Sequence, residues 1–97
     1  MADLFVVAVL HAKNGQEDRL RTDLTAIVGP SRKDEGNLRY DLFADQGDRG
    51  RFVLVQQWTD RVAYQKHDQQ GPQIAHFREH GASAVEKADV FLLDMIA

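Results

Sequence analysis

Two segments of this sequence are apolar on both faces of a strand, and they restrict the fold more than any other feature. Residues 4–10 are Leu4, Phe5, Val6, Val7, Ala8, Val9 and Leu10, rich in β-branched side chains and without a polar break. A second segment pairs Phe52 and Leu54 on one face with Val53 and Val55 on the other. Successive side chains of a strand point to opposite faces, so an unbroken apolar run reads as a strand covered on both sides. The chain has 97 residues, the size of one domain, and we read residues 1–97 as a single domain.

Helical patterns separate the strand patterns. Asn14 is a candidate N-cap with Glu17 three positions on, in capping-box spacing. Leu20, Leu24, Ile27 and Val28 follow at helical spacing. Gly29 and Pro30 should end or kink this helix, and residues 31–35 allow one more turn. Residues 37–43 alternate Leu38, Tyr40 and Leu42 against Arg39, Asp41 and Phe43, a strand. Arg39 and Asp41 then share a face as an ion pair, and Tyr40 belongs in the core. Residues 45–50 have the composition of a hairpin loop, and residues 52–58 form the third strand. Thr59 or Asp60 caps a short helix carrying Val62, Ala63, Tyr64 and His67, and Gly71 and Pro72 break it. A further helix sets Ile74, Phe77, Gly81, Ala84 and Val85 on one side, and residues 90–96 are the last strand.

The order is βαββαβ, an α+β ferredoxin-like arrangement with a four-stranded antiparallel sheet. The first and third strands, the most continuously apolar, belong in its centre. Two helices cover one face of such a sheet. The other face, also apolar, is then expected to be buried by a second copy in a homodimer through the helix-free sheet face.

Composition narrows the chemistry. There is no cysteine, so thiolate metal sites, disulfides and cysteine nucleophiles are excluded. Twelve basic and fifteen acidic residues leave a net charge of −3, which makes nucleic acid and anionic membrane poor partners. No apolar run approaches the roughly 20 residues of a membrane helix. Met1, Ala2 and Asp3 lack the basic start of a signal peptide, so the expected location is the cytoplasm.

Of four histidines, His76 and His80 share a helix face, a spacing that holds a metal only if further ligands converge; no metal site is assigned, and a solvated face is the simpler reading. His67, just before the polar break at residues 68–71, has the side chain whose ordinary pKa of about 6.5 suits proton transfer near neutrality. A histidine bonded to the free carbonyls of a helix end is the competing reading. Trp58, the only tryptophan, ends the third strand, where a ring packs in the core or walls a pocket. No phosphate-cradling glycine loop, dinucleotide fingerprint or serine elbow occurs.

Glu35, Gly36, Asn37, Leu38, Arg39, Tyr40 and Asp41, then Arg51, Phe52 and Val53, then Gln57, Trp58, Thr59 and Asp60, then His67 and residues 72–77, form a recurrent series. With it the chain resembles the antibiotic biosynthesis monooxygenase domain family, which includes quinol monooxygenases, over nearly its whole length. The resemblance implies a dimeric α+β barrel. It also implies oxidation of a quinol or phenolic aromatic substrate by O2 with no cofactor: no flavin, haem or metal. It places His67 at the pocket as base or hydrogen-bond partner. Trp58, Tyr64 and Phe77 are its candidate walls, and Asn37, Arg39, Gln56 and Gln73 its candidate polar contacts. Many relatives have Glu where this chain has Gln56, and His where it has Gln73. An amide exchanges no proton near neutral pH, so a non-catalytic module that binds a small ligand stays open. So does an isomerase of a small phosphorylated hydroxyketone, because signal-processing relatives share the run at residues 35–39. Haem degradation is not expected: the tryptophan of haem-degrading relatives falls near His67, and the first strand offers no Asn.

Overall fold

A computed structural model describes residues 3–97. The signal-peptide reading at Met1 and Ala2 lies outside them. The first strand, β1, spans Leu4–Ala12 and the first helix, α1, spans Glu17–Arg32. The hairpin strands are β2, Asn37–Ala44, and β3, Arg51–Trp58. Helix α2 covers Arg61–Gln70 and α3 covers Pro72–His76. A π-helical turn at Phe77–Gly81 and a 3-10 turn at Ala82–Ala84 lead into β4, Val85–Leu93.

All strand pairs are antiparallel, in the order β2-β3-β1-β4. This is the ferredoxin-like α+β sheet, with β1 and β3 central as their apolar runs require. Burial alternates along both, in β1 as far as the irregularity between His11 and Ala12. Leu4, Val6, Ala8 and Leu10 of β1, with Phe52, Leu54, Gln56 and Trp58 of β3, are buried under the helices. Phe5, Val7, Val9, Val53 and Val55, on the opposite face, are half-buried. Helix α1 closes the core with Leu20, Leu24, Ile27 and Ser31, spaced by three and four residues as one helical stripe requires.

Four local expectations are corrected. Asn14 does not cap α1. Gln16 is the N-cap and makes no side-chain cap bond, and Glu17 accepts instead from the Gly15 amide at 3.3 Å. Pro30 does not end α1, because the buried stripe continues through it to Ser31. The last turn then tightens, with Lys33 and Asp34 amides donating to the Pro30 and Ser31 carbonyls at 3.1 Å. The final helix does not run on to Val85, because it widens at Phe77 into the π turn. Finally, β4 begins at Val85 and ends at Leu93, not at 90 and 96. Its first half carries Glu86, Lys87 and Asp89 at the sheet edge, so no apolar run marks it. Asp60 does cap α2, its Oδ1 accepting from the Ala63 amide at 2.8 Å.

Candidate functional site

The site forms where the end of β3 meets α2. Trp58 is the last residue of β3 and points under the helices, fully buried. Two backbone devices bring α2 over it. Gly36 adopts φ +82°, and its carbonyl accepts from the Thr59 amide at 2.9 Å. A Cβ on Gly36 would lie 2.5 Å from the Ala63 Cβ, so a glycine is needed for α2 to seat there. Two turns into α2, His67 then reaches the core, 4% exposed.

Aromatic rings surround His67. Its ring centroid is 4.7 Å from Trp58, 5.3 Å from Tyr40 and 6.3 Å from Tyr64. Trp58 Nε1 donates to Gln56 Oε1 at 3.0 Å, which satisfies both buried groups. Burial raises the Tyr40 phenol to about 12, against a smaller pull from the Ser31 hydroxyl. The Tyr64 phenol is also raised, by burial first and then by the Asp68 carboxylate, with Arg78 opposing. Both tyrosines are therefore neutral across the physiological range.

His67 Nδ1 lies 2.7 Å from Asp34 Oδ2. The same oxygen accepts from Gln73 Nε2 at 2.8 Å, and Gln73 Nε2 also reaches Ser31 Oγ at 3.2 Å. No buried side-chain nitrogen or oxygen among the described residues lacks a partner. Beside this network is a cavity of about 150 Å³ lined by Asp34, Glu35, Ala63, Lys66, His67, Gln70, Gly71 and Pro72.

The residues expected from the sequence divide into three groups. Trp58, Tyr64, Gln56, His67 and Gln73 are brought together. Phe77 stands apart, lining a second cavity of about 140 Å³ between α1 and the π turn, with Ile27, Gln73, His76 and His80. A Cβ on Gly81 would lie 2.8 Å from the Phe77 ring, so that glycine makes room for it. The His76 and His80 rings pack at 4.5 Å, and among the described residues no three His, Asp or Glu side chains converge as metal ligands. Asn37 and Arg39 lie outside the cluster. Asn37 Nδ2 donates to the Arg39 carbonyl at 3.1 Å. Arg39 faces the helix-free side, paired with Asp41 at 2.6 Å, because strand alternation sets it opposite to Tyr40. Asp34 escaped sequence analysis. It is 33 residues from His67, and no local pattern marks it.

No helix of the described chain is long and apolar enough to cross a membrane. Comparison with known proteins agrees with the fold. Residues 3–83 match the family model for antibiotic biosynthesis monooxygenase. A Bacillus subtilis (strain 168) protein named "Putative monooxygenase YcnE" is 30% identical over 79 residues, 81% of this chain and 79% of that one. The crystal structure of PA3566 from Pseudomonas aeruginosa is similar at TM-score 0.94 and 28% identity, covering 100% of this chain and 97% of that one. A crystal structure described as an antibiotic biosynthesis monooxygenase is similar at TM-score 0.89 and 27% identity, covering 97% of this chain and 99% of that one.

Proposed function

Because this chain belongs to the antibiotic biosynthesis monooxygenase family, we propose that it is a cofactor-independent monooxygenase of a quinol or related phenol, with His67 as its catalytic base. The observation that supports this most directly is a buried imidazole set among aromatic rings, on a residue that lines a cavity.

The chemistry is self-sufficient. A hydroquinone plus O2 gives a hydroxyquinone plus water, with one oxygen atom in each product, and the substrate supplies all four electrons. His67 Nε2 takes the phenolic proton, because the phenolate is a far better electron donor than the phenol. The phenolate passes one electron to O2, and the two radicals join as a peroxide at a ring carbon. His67 returns its proton to the terminal peroxide oxygen; it then takes the proton on that carbon as the O–O bond breaks to leave a carbonyl, and the departing hydroxide recovers this proton as water. A general base of this kind contributes roughly 10²–10⁴-fold. Trp58 and Tyr40 keep water from the imidazole, and their neutral rings leave the proton inventory to His67.

The working unit of this reading is a homodimer joined through the helix-free sheet face. Two other functions are weighed by specific contacts. A ligand-binding module without catalysis is favoured by the neutral amides Gln56 and Gln73, both engaged with protein partners. An isomerase of a phosphorylated hydroxyketone is disfavoured. The charged groups at the cavity are Asp34, Glu35 and Lys66, and Lys66 lies 4.0 Å from Glu35, so a phosphate would meet net negative charge.

Oxygen uptake with a panel of reduced quinones and anthrones tests the proposal. Uptake with at least one member, reduced on the order of 10²-fold in His67→Gln, is the expected result. No uptake, or equal turnover in His67→Gln, refutes it.

A further inference from the structure

Gln73 stands in the expected position for a substrate contact, yet its amide nitrogen is turned into the protein. Nε2 donates to Asp34 Oδ2 at 2.8 Å and lies 3.2 Å from Ser31 Oγ. Asp34 Oδ2 in turn lies 2.7 Å from His67 Nδ1. One carboxylate oxygen therefore serves two nitrogens contributed by α2 and α3. Neither nitrogen is interchangeable with its neighbour's role. An amide NH2 can only donate, and an ionised carboxylate can only accept, so the chain of contacts has one direction. From Gln73, Asp34 receives; from His67, Asp34 must also receive.

We infer that Asp34, braced by Gln73, is the positioning residue of the site: it holds the proton of neutral His67 on Nδ1 and so keeps the ring's lone pair on Nε2. This inference assigns Gln73 to the brace rather than to substrate, and its link to turnover rests on the monooxygenase reading above. The alternative tautomer would place the proton on Nε2 and oppose a lone pair to the carboxylate. A base of that form cannot take a proton from a substrate in the cavity, however well the ring is placed.

The backbone is shaped for the brace. The Gly71 amide donates to the His67 carbonyl at 3.0 Å. A Cβ on Gly71 would stand 2.5 Å from that carbonyl oxygen and 3.2 Å from Gln73 Nε2. The absent side chain is what lets the Gln73 amide fold back beneath the end of α2. The Asp34 amide donates to the Ser31 carbonyl at 3.1 Å, and the Asp34 carbonyl accepts from the Asn37 amide at 3.1 Å. Its backbone is therefore pinned on both sides while its carboxyl group faces His67.

The test is the tautomer itself, read from imidazole nitrogen shifts in the intact protein with 15N-labelled histidine. Work at about pH 9 keeps ordinary imidazoles, with pKa about 6.5, neutral, and the His67→Gln variant assigns the signals. The expected result is a neutral ring with its proton on Nδ1. Asp34→Ala should shift that ring toward the Nε2-protonated form. Gln73→Leu, which leaves the carboxylate in place, should retain the Nδ1 proton with faster solvent exchange. In oxygen uptake, Asp34→Ala should lower kcat about 10–100-fold, part of what a general base supplies, with KM changed less than about twofold. An Nε2-protonated ring or an imidazolium in the unaltered protein overturns the inference, and that measurement needs no Asp34 variant to fold. The expected tautomer in a protein that consumes no oxygen with any substrate of the panel upholds the positioning role and overturns the monooxygenase reading instead.

Discussion

At the level of single residues, the site depends on positions whose neighbours lie far away in sequence. Gly36 reads as a turn from its sequence context, but its φ of +82° and its 2.5 Å approach to the Ala63 Cβ are tertiary facts. Gly36→Ala should destabilise the fold by about 2–3 kcal/mol, combining a left-handed backbone with an overpacked contact. Urea unfolding checks this, and a loss below about 0.5 kcal/mol would contradict the packing described. Trp58 stood out as the lone tryptophan, at a strand end, whereas His67 was singled out chiefly by the family resemblance, because a histidine at a helix end is common. Asp34 was not legible, since its partners are 33 and 39 residues away and an aspartate after a helix looks like any solvated charge. Arg39 misled for the opposite reason. Its motif is local, but strand alternation turns it away from the site.

Elements whose identity rests on apolar periodicity were legible, and those set by edges or caps were not. The alternation of β1 and β3 survives unchanged in the burial pattern. The start of β4 does not, because an edge strand needs no buried face to pair with β1. Asp60 was a choice between two neighbours that only geometry resolves. Asp60→Ala should cost about 1 kcal/mol through the lost cap of α2, read by thermal unfolding. The β2–β3 loop gives a pH signature. The Gly47 amide first, then the Arg51 guanidinium, hold the Asp45 carboxyl below its ordinary range. A folded pKa below the unfolded one gives stability that is complete above the unfolded value, about pH 4. It is lost as pH falls through the folded value. Asp41, lowered by Arg39 and then Arg32, loses its contribution in the same window. Melting temperature should therefore fall below about pH 4, and less steeply in Asp45→Asn. Equal slopes for the two proteins would remove Asp45 from the acid response.

At the scale of the whole molecule, the sheet leaves apolar surface that one chain does not cover. The helices bury one face of β1 and β3, and the opposite face presents Val7, Val9, Val53 and Val55 half-buried beside exposed Phe43, Phe91 and Leu93. The exposed surface also turns the corner of the sheet. Val90 and Leu92 point to the helix side of β4 yet are 52% and 38% exposed, because the helices stop short of this edge. Beyond the strand, exposed Met95 and Ile96 lie beside Phe5 and Gln57 of the helix-free face. An apolar edge strand exposed on both faces is a site of association. The proposed dimer therefore needs more than sheet stacked on sheet: the second copy must also reach around β4. Sedimentation should give a mass near twice 11.0 kDa, and unfolding should shift to higher temperature with protein concentration. Phe91→Glu on the helix-free face and Val90→Glu on the helix side should each weaken association, since a buried unpaired carboxylate costs several kcal/mol. If only Phe91→Glu weakens it, the interface is confined to the helix-free face and β4 is not wrapped. A monomer at micromolar concentration would show that neither surface is buried by a second copy. His67 lies on the helix side of the sheet, so variants confined to the interface should change assembly before they change the chemistry at its ring.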